Sequence, residues 1–180
     1  LLAPAEPSLY HFYQKRGYES FFTRREFFFE PKGRAEHPDT RTLSLKPVSL
    51  SEYYPKHINR IPQESILWDE EILCFAERES ILYGGGLYVL MDGQNELCIC
   101  NIYRYKEEEV IVKELLLQQG VSQQQAIEAL RDLFLQCRVT IRLTGTDKEN
   151  RVPSGMIRFY GPKEDMPENT QMAYLPFLLD

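Results

Sequence analysis

Residues 1–29 read LLAPAEPSLYHFYQKRGYESFFTRREFFF: a short apolar run, a proline-rich bend, a compact helix and a strand rich in aromatic residues. Ser8 is placed as the N-cap of that helix, and Leu9 and Tyr13 lie one turn apart on its apolar face. Gly17 follows the last turn, where a left-handed residue commonly ends a helix. So short a helix is marginal alone, and we expect tertiary contacts to hold it.

The segment YQKRGY, beginning at Tyr13, resembles part of the GNAT superfamily of N-acetyltransferases. There, a helix ending in tyrosine, three residues, glycine and an aromatic follows the fifth strand and leads into the last hairpin. The resemblance implies that Tyr13 gives a proton to the coenzyme A thiolate as it leaves. The alternative is a half-buried aromatic whose hydroxyl bonds to backbone or water. Glu6 stands where the superfamily often has asparagine, so the pattern is incomplete.

Length and charge narrow the class of protein. A chain of 180 residues can hold one full domain, or part of one and a second. The net charge of −6 argues against a nucleic-acid partner or an anionic membrane surface. No stretch has the roughly 18 apolar residues of a membrane-spanning helix, and no signal peptide begins the chain. These features predict a cytoplasmic protein.

The four cysteines predict buried free thiols rather than a disulfide framework or a zinc site. Cys98 and Cys100 lie two apart in a predicted strand and therefore share a face. The three histidines are scattered, so zinc-like spacing is absent and no metal is predicted. His57 falls on a mostly apolar face and is interpreted as a structural histidine.

The middle of the chain predicts a run of alternating elements. Residues 30–47 are polar and rich in proline, which is typical of a linker. A second helix is expected from about residue 65, with Trp68, Ile72 and Phe75 on its buried face. The three glycines at 84–86 are interpreted as a flexible joint, and Asp92-Gly93 between two apolar runs predicts a hairpin turn. Further helices are predicted at 49–61 and 123–136, strands at 21–29, 87–91, 96–105, 110–117, 139–144, 156–160 and 174–179, and a polar loop at 146–154.

The loop between the strand at 110–117 and the next helix carries a second resemblance. A strand, a glycine-containing loop and a helix N-terminus can hold a pyrophosphate through backbone N–H groups. In the GNAT superfamily such a loop, Gln/Arg-x-x-Gly-x-Gly/Ala, binds acetyl-coenzyme A, which implies that Gln118, Gly120 and Ser122 contact this co-substrate. The spacing matches only in part. The alternative is plain helix capping, because Ser122 and Gln125 have the spacing of a capping box.

The order of elements is similar to that of the GNAT superfamily, and implies a mixed α/β (α+β) fold. A largely antiparallel central sheet flanked by helices, acyl-CoA N-acyltransferase-like, is expected. Residues 1–47 would be the C-terminal part of a first domain plus a linker, and residues 48–180 a second, degenerate domain. The chain would then be the C-terminal part of a tandem acetyltransferase.

The resemblance implies transfer of an acetyl group from acetyl-coenzyme A to the amine of a small molecule or peptide. In some tandem enzymes the C-terminal carboxylate is the base, which here is Asp180; the alternative is an exposed terminus. The competing class is a non-catalytic binding or dimerisation module. It predicts no acetyl-coenzyme A affinity, with Tyr53, Tyr54 and Trp68 serving substrate capture or dimerisation. Formation of a homo-oligomer is compatible with either class of function.

Overall fold

The computed structural model describes residues 1–31, 42–62, 65–143 and 151–161, and the chain divides into two compact units. The first unit combines Leu1–Glu26, Pro62–Ile66 and Thr144–Asp180. The second combines Phe27–Ile61 with Leu67–Leu143. The domain division predicted near residue 47 remains a prediction.

The described residues form four helices and seven strands. Most strand pairings are antiparallel, so the expected mixed, largely antiparallel fold class is confirmed. None of these helices has the length and apolar character needed to cross a membrane. In chain order the elements are α1 (Pro7–Gln14), β1 (Glu19–Phe29), β2 (Leu43–Pro47), α2 (Leu50–Arg60), α3 (Glu70–Leu82), β3 (Gly86–Asp92), β4 (Asn95–Lys106), β5 (Glu109–Leu117), α4 (Gln123–Leu133), β6 (Arg138–Leu143) and β7 (Arg151–Ile157).

Helix α1 of the first unit begins earlier than predicted. Its N-cap is Glu6 rather than Ser8, and Pro7 occupies the first helical position. Proline suits this position because its missing N–H would have no partner inside the helix. Gly17 has φ +78° beyond the last turn, which confirms its predicted position.

Strand β7 of the first unit pairs antiparallel with β1, and this pairing corrects the sequence-based assignment. Residues 151–154 were expected in a polar loop, yet they belong to the strand. Phe22 pairs with Gly155 and Thr23 with Pro153, so Ser154 is an extra residue, a β-bulge. A proline and a bulge hide the strand from a pattern of simple alternation.

The described part of the second unit includes the strands β2-β3-β4-β5-β6 in that order, and the β5–β6 pair is the one parallel pairing among them. The linker predicted at 30–47 is wrong at its end, because β2 pairs antiparallel with β3. Residues 32–41 of that linker, and the strand predicted at 174–179, lie outside the described residues. A turn at Gly93, with φ +59°, joins β3 to β4 as predicted.

Helices cover both faces of the second unit's sheet. Helix α4 packs on the face that carries Cys98, Cys100 and Ile102, and both cysteines are buried free thiols as predicted. Its buried residues include Ala126, Ile127, Ala129 and Leu130. Helices α2 and α3 pack against the side chains that alternate with these on β4, among them Asn101 and Tyr103.

The predicted buried face of α3 is wrong. Leu73, Ala76 and Ser80 are its buried residues, whereas Ile72 is 41% and Phe75 58% exposed. The true stripe is offset by one position, and one position turns the face of a helix by about 100°. Large apolar residues on the exposed face concealed that offset.

The glycine run at 84–86 is a packed turn, not a loose joint. An added Cβ on Gly85 would lie 1.7 Å from the Ile102 carbonyl oxygen. The N–H of Gly85 donates to the Ser80 carbonyl over 2.8 Å. Glycine is needed here because backbone approaches backbone.

Candidate functional site

The loop from β5 to α4 opens onto a groove of about 570 Å³ in the second unit. The predicted residues Gln118 and Gly120 both line this groove. Gly120 has φ +84°, and open space surrounds the position of an added Cβ. The other lining residues are Lys56, Arg60, Gln94, Asn95, Glu96, Gln119 and Val121.

Ser122, the third predicted binding residue, is the N-cap of α4. Its Oγ accepts the N–H of Gln125 over 3.2 Å, and Gln125 Oε1 accepts the N–H of Ser122 over 2.9 Å. The predicted capping box is therefore confirmed. The hydroxyl of Ser122 is committed to the helix rather than to the groove.

Two cations from α2 stand beside the loop. Lys56 Nζ donates to Glu96 Oε2 over 2.5 Å, and Arg60 Nη2 donates to Glu96 Oε1 over 2.6 Å. Arg60 Nη2 also donates to the side-chain oxygen of Gln118 over 2.5 Å. Two positive groups facing one carboxylate leave this side of the groove with one net positive charge.

The charges of this cluster set the ionisation of Glu96. Partial burial acts to raise the pKa of Glu96, but the hydrogen bonds from Lys56 and Arg60 outweigh it and lower this pKa. Sequence reasoning missed Lys56 and Arg60. Their spacing of four residues was the available signal, since it places both on one side of α2.

The pairing of strands β5 and β6 ends before β5 reaches the same loop. Their parallel pairing runs from Glu109 with Arg138 to Val112 with Ile141 and ends there among the described residues. Strand β5 continues to Leu117, paired with β4 alone of the described strands.

A buried polar cluster lies on β5 just beyond the end of this pairing. Glu114 is fully buried, and its Oε2 accepts the Tyr53 hydroxyl over 2.7 Å and lies 3.1 Å from Nδ1 of His57. Lys113 is the extra residue of a bulge, because Asn101 pairs with Glu114 and Ile102 with Val112. The Nζ of Lys113 lies 4.2 Å from the centre of the Tyr103 ring.

The same cluster contains two residues that the sequence analysis named, His57 and Tyr53. His57 is fully buried against Glu114, as expected for a structural histidine. Tyr53 is also fully buried within the chain, so it presents no surface to an outside partner. Glu114 itself was missed, because a charged residue inside an apolar strand gives no sign of its partners.

Tyr13, the predicted acid, belongs to the first unit. It is half-buried, and its ring meets those of Phe12 and Tyr18 edge-on, with centroids 5.2 and 5.7 Å away. Its carbonyl oxygen accepts the N–H groups of Arg16 and Tyr18. Asp180, the predicted base, lies outside the described residues.

The fold is similar to that of solved proteins, one of which is described as a probable N-acyltransferase. A probable N-acyltransferase from Enterococcus faecalis matches with a TM-score of 0.53 and 15% identity, over 86% of this chain and 43% of that one. Eis1 from Mycobacterium abscessus matches with a TM-score of 0.51 and 13% identity, over 87% of this chain and 44% of that one. The expected N-acyltransferase-like fold is confirmed, and the chain spans less than half the length of either relative.

No family model matches the sequence, and no curated protein matches it either. At these identities the likeness extends to the fold alone. The chemistry of the site therefore has to be argued from the residues around the β5–α4 loop.

Proposed function

We propose that the chain is part of an N-acetyltransferase that moves an acetyl group from acetyl-coenzyme A to an amine. The observation that carries this proposal is the groove at the β5–α4 loop, where Arg60 and Lys56 flank Gln118 and Gly120. The chain's N-acyltransferase-like fold supports it. The acceptor would be the amine of a small molecule or peptide.

The residues of the groove fit the diphosphate of coenzyme A. The net positive charge from Lys56 and Arg60 favours a phosphate, and the guanidinium can bind it through parallel N–H groups. Open space at Gly120 lets a ligand approach the backbone closely. The positive end of the α4 dipole adds to this preference for anions.

The roles of the groups outside the groove follow from the chemistry of amide formation. Bound acetyl-coenzyme A supplies the activated acyl group. We assign Tyr13 as the acid that protonates the departing sulfur and the carboxylate of Asp180 as the base that takes the amine proton. Both assignments are part of the proposal, and each is tested by substituting its own residue.

The proposal is tested by calorimetric titration of the 180-residue chain with acetyl-coenzyme A. We expect micromolar binding, and we expect Arg60→Gln to weaken it about tenfold, the effect of losing one charge-assisted contact. Arg138→Gln is the matched control, because Arg138 is exposed and distant in sequence from the groove. Thermal unfolding of both variants checks that the fold is retained.

The outcomes separate the two classes of function. Absence of binding, or binding that Arg60→Gln and Lys56→Gln leave unchanged, would overturn the assignment of the groove and favour a non-catalytic module. If the groove binds, release of free thiol in the presence of an amine tests transfer. Tyr13→Phe should then lower the rate constant of transfer while the dissociation constant stays unchanged.

A further inference from the structure

A second concave site lies wholly within the first unit. Its volume is about 490 Å³, which is in the range of about 300 to 1,000 Å³ typical of small-molecule sites. Helix α1, its preceding segment and the paired strands β1 and β7 form it. Apolar groups make up most of the wall, namely Ala3, Pro4, Ala5, Pro7, Val152 and Pro153.

The wall of this pocket contains a buried hydroxyl group, that of Ser154. It is 3% exposed, it lines the pocket, and its Oγ has no hydrogen-bond partner among the described residues. It is also the extra residue of the β7 bulge. Bulges redirect side chains, and an unpaired buried hydroxyl is costly, so a ligand atom is the partner this geometry calls for.

Arg24 brings a positive charge to the same pocket. Its side chain is 18% exposed, and its Nε donates to Glu26 Oε1 over 2.8 Å. Within the described part of the chain, no hydrogen bond is made by its two Nη groups. A guanidinium held through Nε can still bind a second carboxylate end-on through both Nη groups.

Tyr10 adds another donor. It is half-buried in the pocket wall, and no hydrogen bond of its hydroxyl occurs in the described ranges. Burial raises the pKa of Tyr10 above its ordinary value, although the charge of Arg24 opposes this. The phenol therefore keeps its proton at neutral pH and can donate it in a hydrogen bond.

We propose that this pocket binds a small organic carboxylate with an apolar body. The carboxylate accepts hydrogen bonds from the Nη groups of Arg24 and from the hydroxyls of Tyr10 and Ser154. The apolar body packs against the proline, alanine and valine side chains of the wall. The site is independent of the proposed coenzyme groove, since the two share no residue.

The acidic residues of the pocket wall do not reverse the preference for a carboxylate ligand. Glu26 is already paired with Arg24, and Glu6 is exposed to solvent. An organic cation could bind Glu26 only by displacing its bond to Arg24, and the guanidinium would repel the cation. A neutral ligand would form weaker hydrogen bonds with the Nη groups of Arg24 than a carboxylate does.

The probes are benzoate, benzyl alcohol and benzylamine, which differ chiefly in the group attached to the ring. Each is titrated into the isotopically labelled 180-residue chain, and backbone amide shifts report the site. We expect benzoate to bind at least about tenfold more tightly than either of the others, since one charge-assisted bidentate pair separates them. The shifts should centre on Arg24 and Ser154.

Three variants test which residues bind the carboxylate of benzoate. Arg24→Gln should weaken benzoate binding about tenfold or more, and Ser154→Ala about threefold, because charged contacts exceed neutral ones. Lys15→Gln, an equal change of charge at an exposed residue of the same unit outside the pocket wall, should leave binding unchanged. Ser154→Ala removes an unpaired group, so it keeps the test valid if Arg24→Gln unfolds.

The proposal is overturned if benzylamine or benzyl alcohol binds as tightly as benzoate, or if benzoate shifts residues outside the pocket. It is also overturned if Lys15→Gln weakens binding as much as Arg24→Gln, which would indicate attraction to net charge alone. Binding of benzoate by a chain that fails to bind acetyl-coenzyme A would support this site and contradict the proposed function separately.

Discussion

The hydroxyl of Tyr53 donates a hydrogen bond of 2.7 Å to the carboxylate of Glu114, and both side chains are completely buried. The bond joins α2 to β5 across 61 positions of sequence. It attaches the helix that carries Lys56 and Arg60 to the strand that leads into Gln118. The geometry of the groove therefore depends on a buried polar contact beneath it.

Tyr53→Phe should lower the free energy of unfolding by about 1–3 kcal/mol, because it leaves a buried carboxylate oxygen with one donor fewer. Urea denaturation followed by fluorescence measures the change. Tyr54→Phe is the control, since Tyr54 is half-buried on the same helix and its hydroxyl has no hydrogen bond to an acid among the described residues. This variant should change the free energy of unfolding by less than about 0.5 kcal/mol. Equal effects of the two variants would contradict the role of the Glu114 contact.

Asn101→Leu should be neutral or stabilising by about 1 kcal/mol, since it removes polar atoms that are buried without a partner. Both side-chain polar atoms of Asn101 lack a hydrogen bond to the described residues, although Asn101 pairs directly with Glu114 across the strands. Urea denaturation again gives the change. A loss of more than about 2 kcal/mol would instead indicate that Asn101 holds a buried water beside Glu114.

Gly85→Ala should destabilise the chain by at least about 3 kcal/mol, because the new methyl group would overlap the Ile102 carbonyl and force α3 away from β4. Thermal unfolding checks this. Gly93→Ala offers the comparison, since Gly93 has φ +59° and open space around it. That variant adds backbone strain alone, about 1 kcal/mol. A smaller loss at Gly85 than at Gly93 would disprove the close approach.

Acid should remove stabilisation that comes from Glu96. Its pKa is lowered in the folded chain, so its contribution is fully present above the ordinary glutamate value of about 4.3 and is lost as the pH falls through the folded pKa. Glu96→Gln should flatten the pH dependence of stability in that acid range. The exposed turn residue Glu107 provides the control Glu107→Gln, which should leave the slope as it is in the parent chain.

The sequence predicted the elements whose pattern is local. The capping box at Ser122, the turn at Gly93 and the burial of Cys98 and Cys100 all follow from neighbouring residues, and all were confirmed. The N-acyltransferase-like fold was also confirmed from the order of elements. Local rules suffice where both partners of an interaction lie close together in the sequence.

Elements defined by distant partners were predicted less well. Strand β2 was read as a linker and the start of β7 as a loop, because each becomes a strand by pairing with another. The stripe of α3 was offset by one residue for the same reason: the surface it packs against decides which residues are buried. Glu114, Lys56 and Arg60 were missed because their partners lie 36 to 61 residues away.

The end of the β5–β6 pairing at Val112 and Ile141 also has a mechanical consequence. Among the described residues, β-sheet pairing couples the two strands before this point and not after it. The last residues of β5 can therefore bend away from β6 without breaking a bond between those two strands. Beyond Val112, β4 alone of the described strands holds β5 through backbone hydrogen bonds.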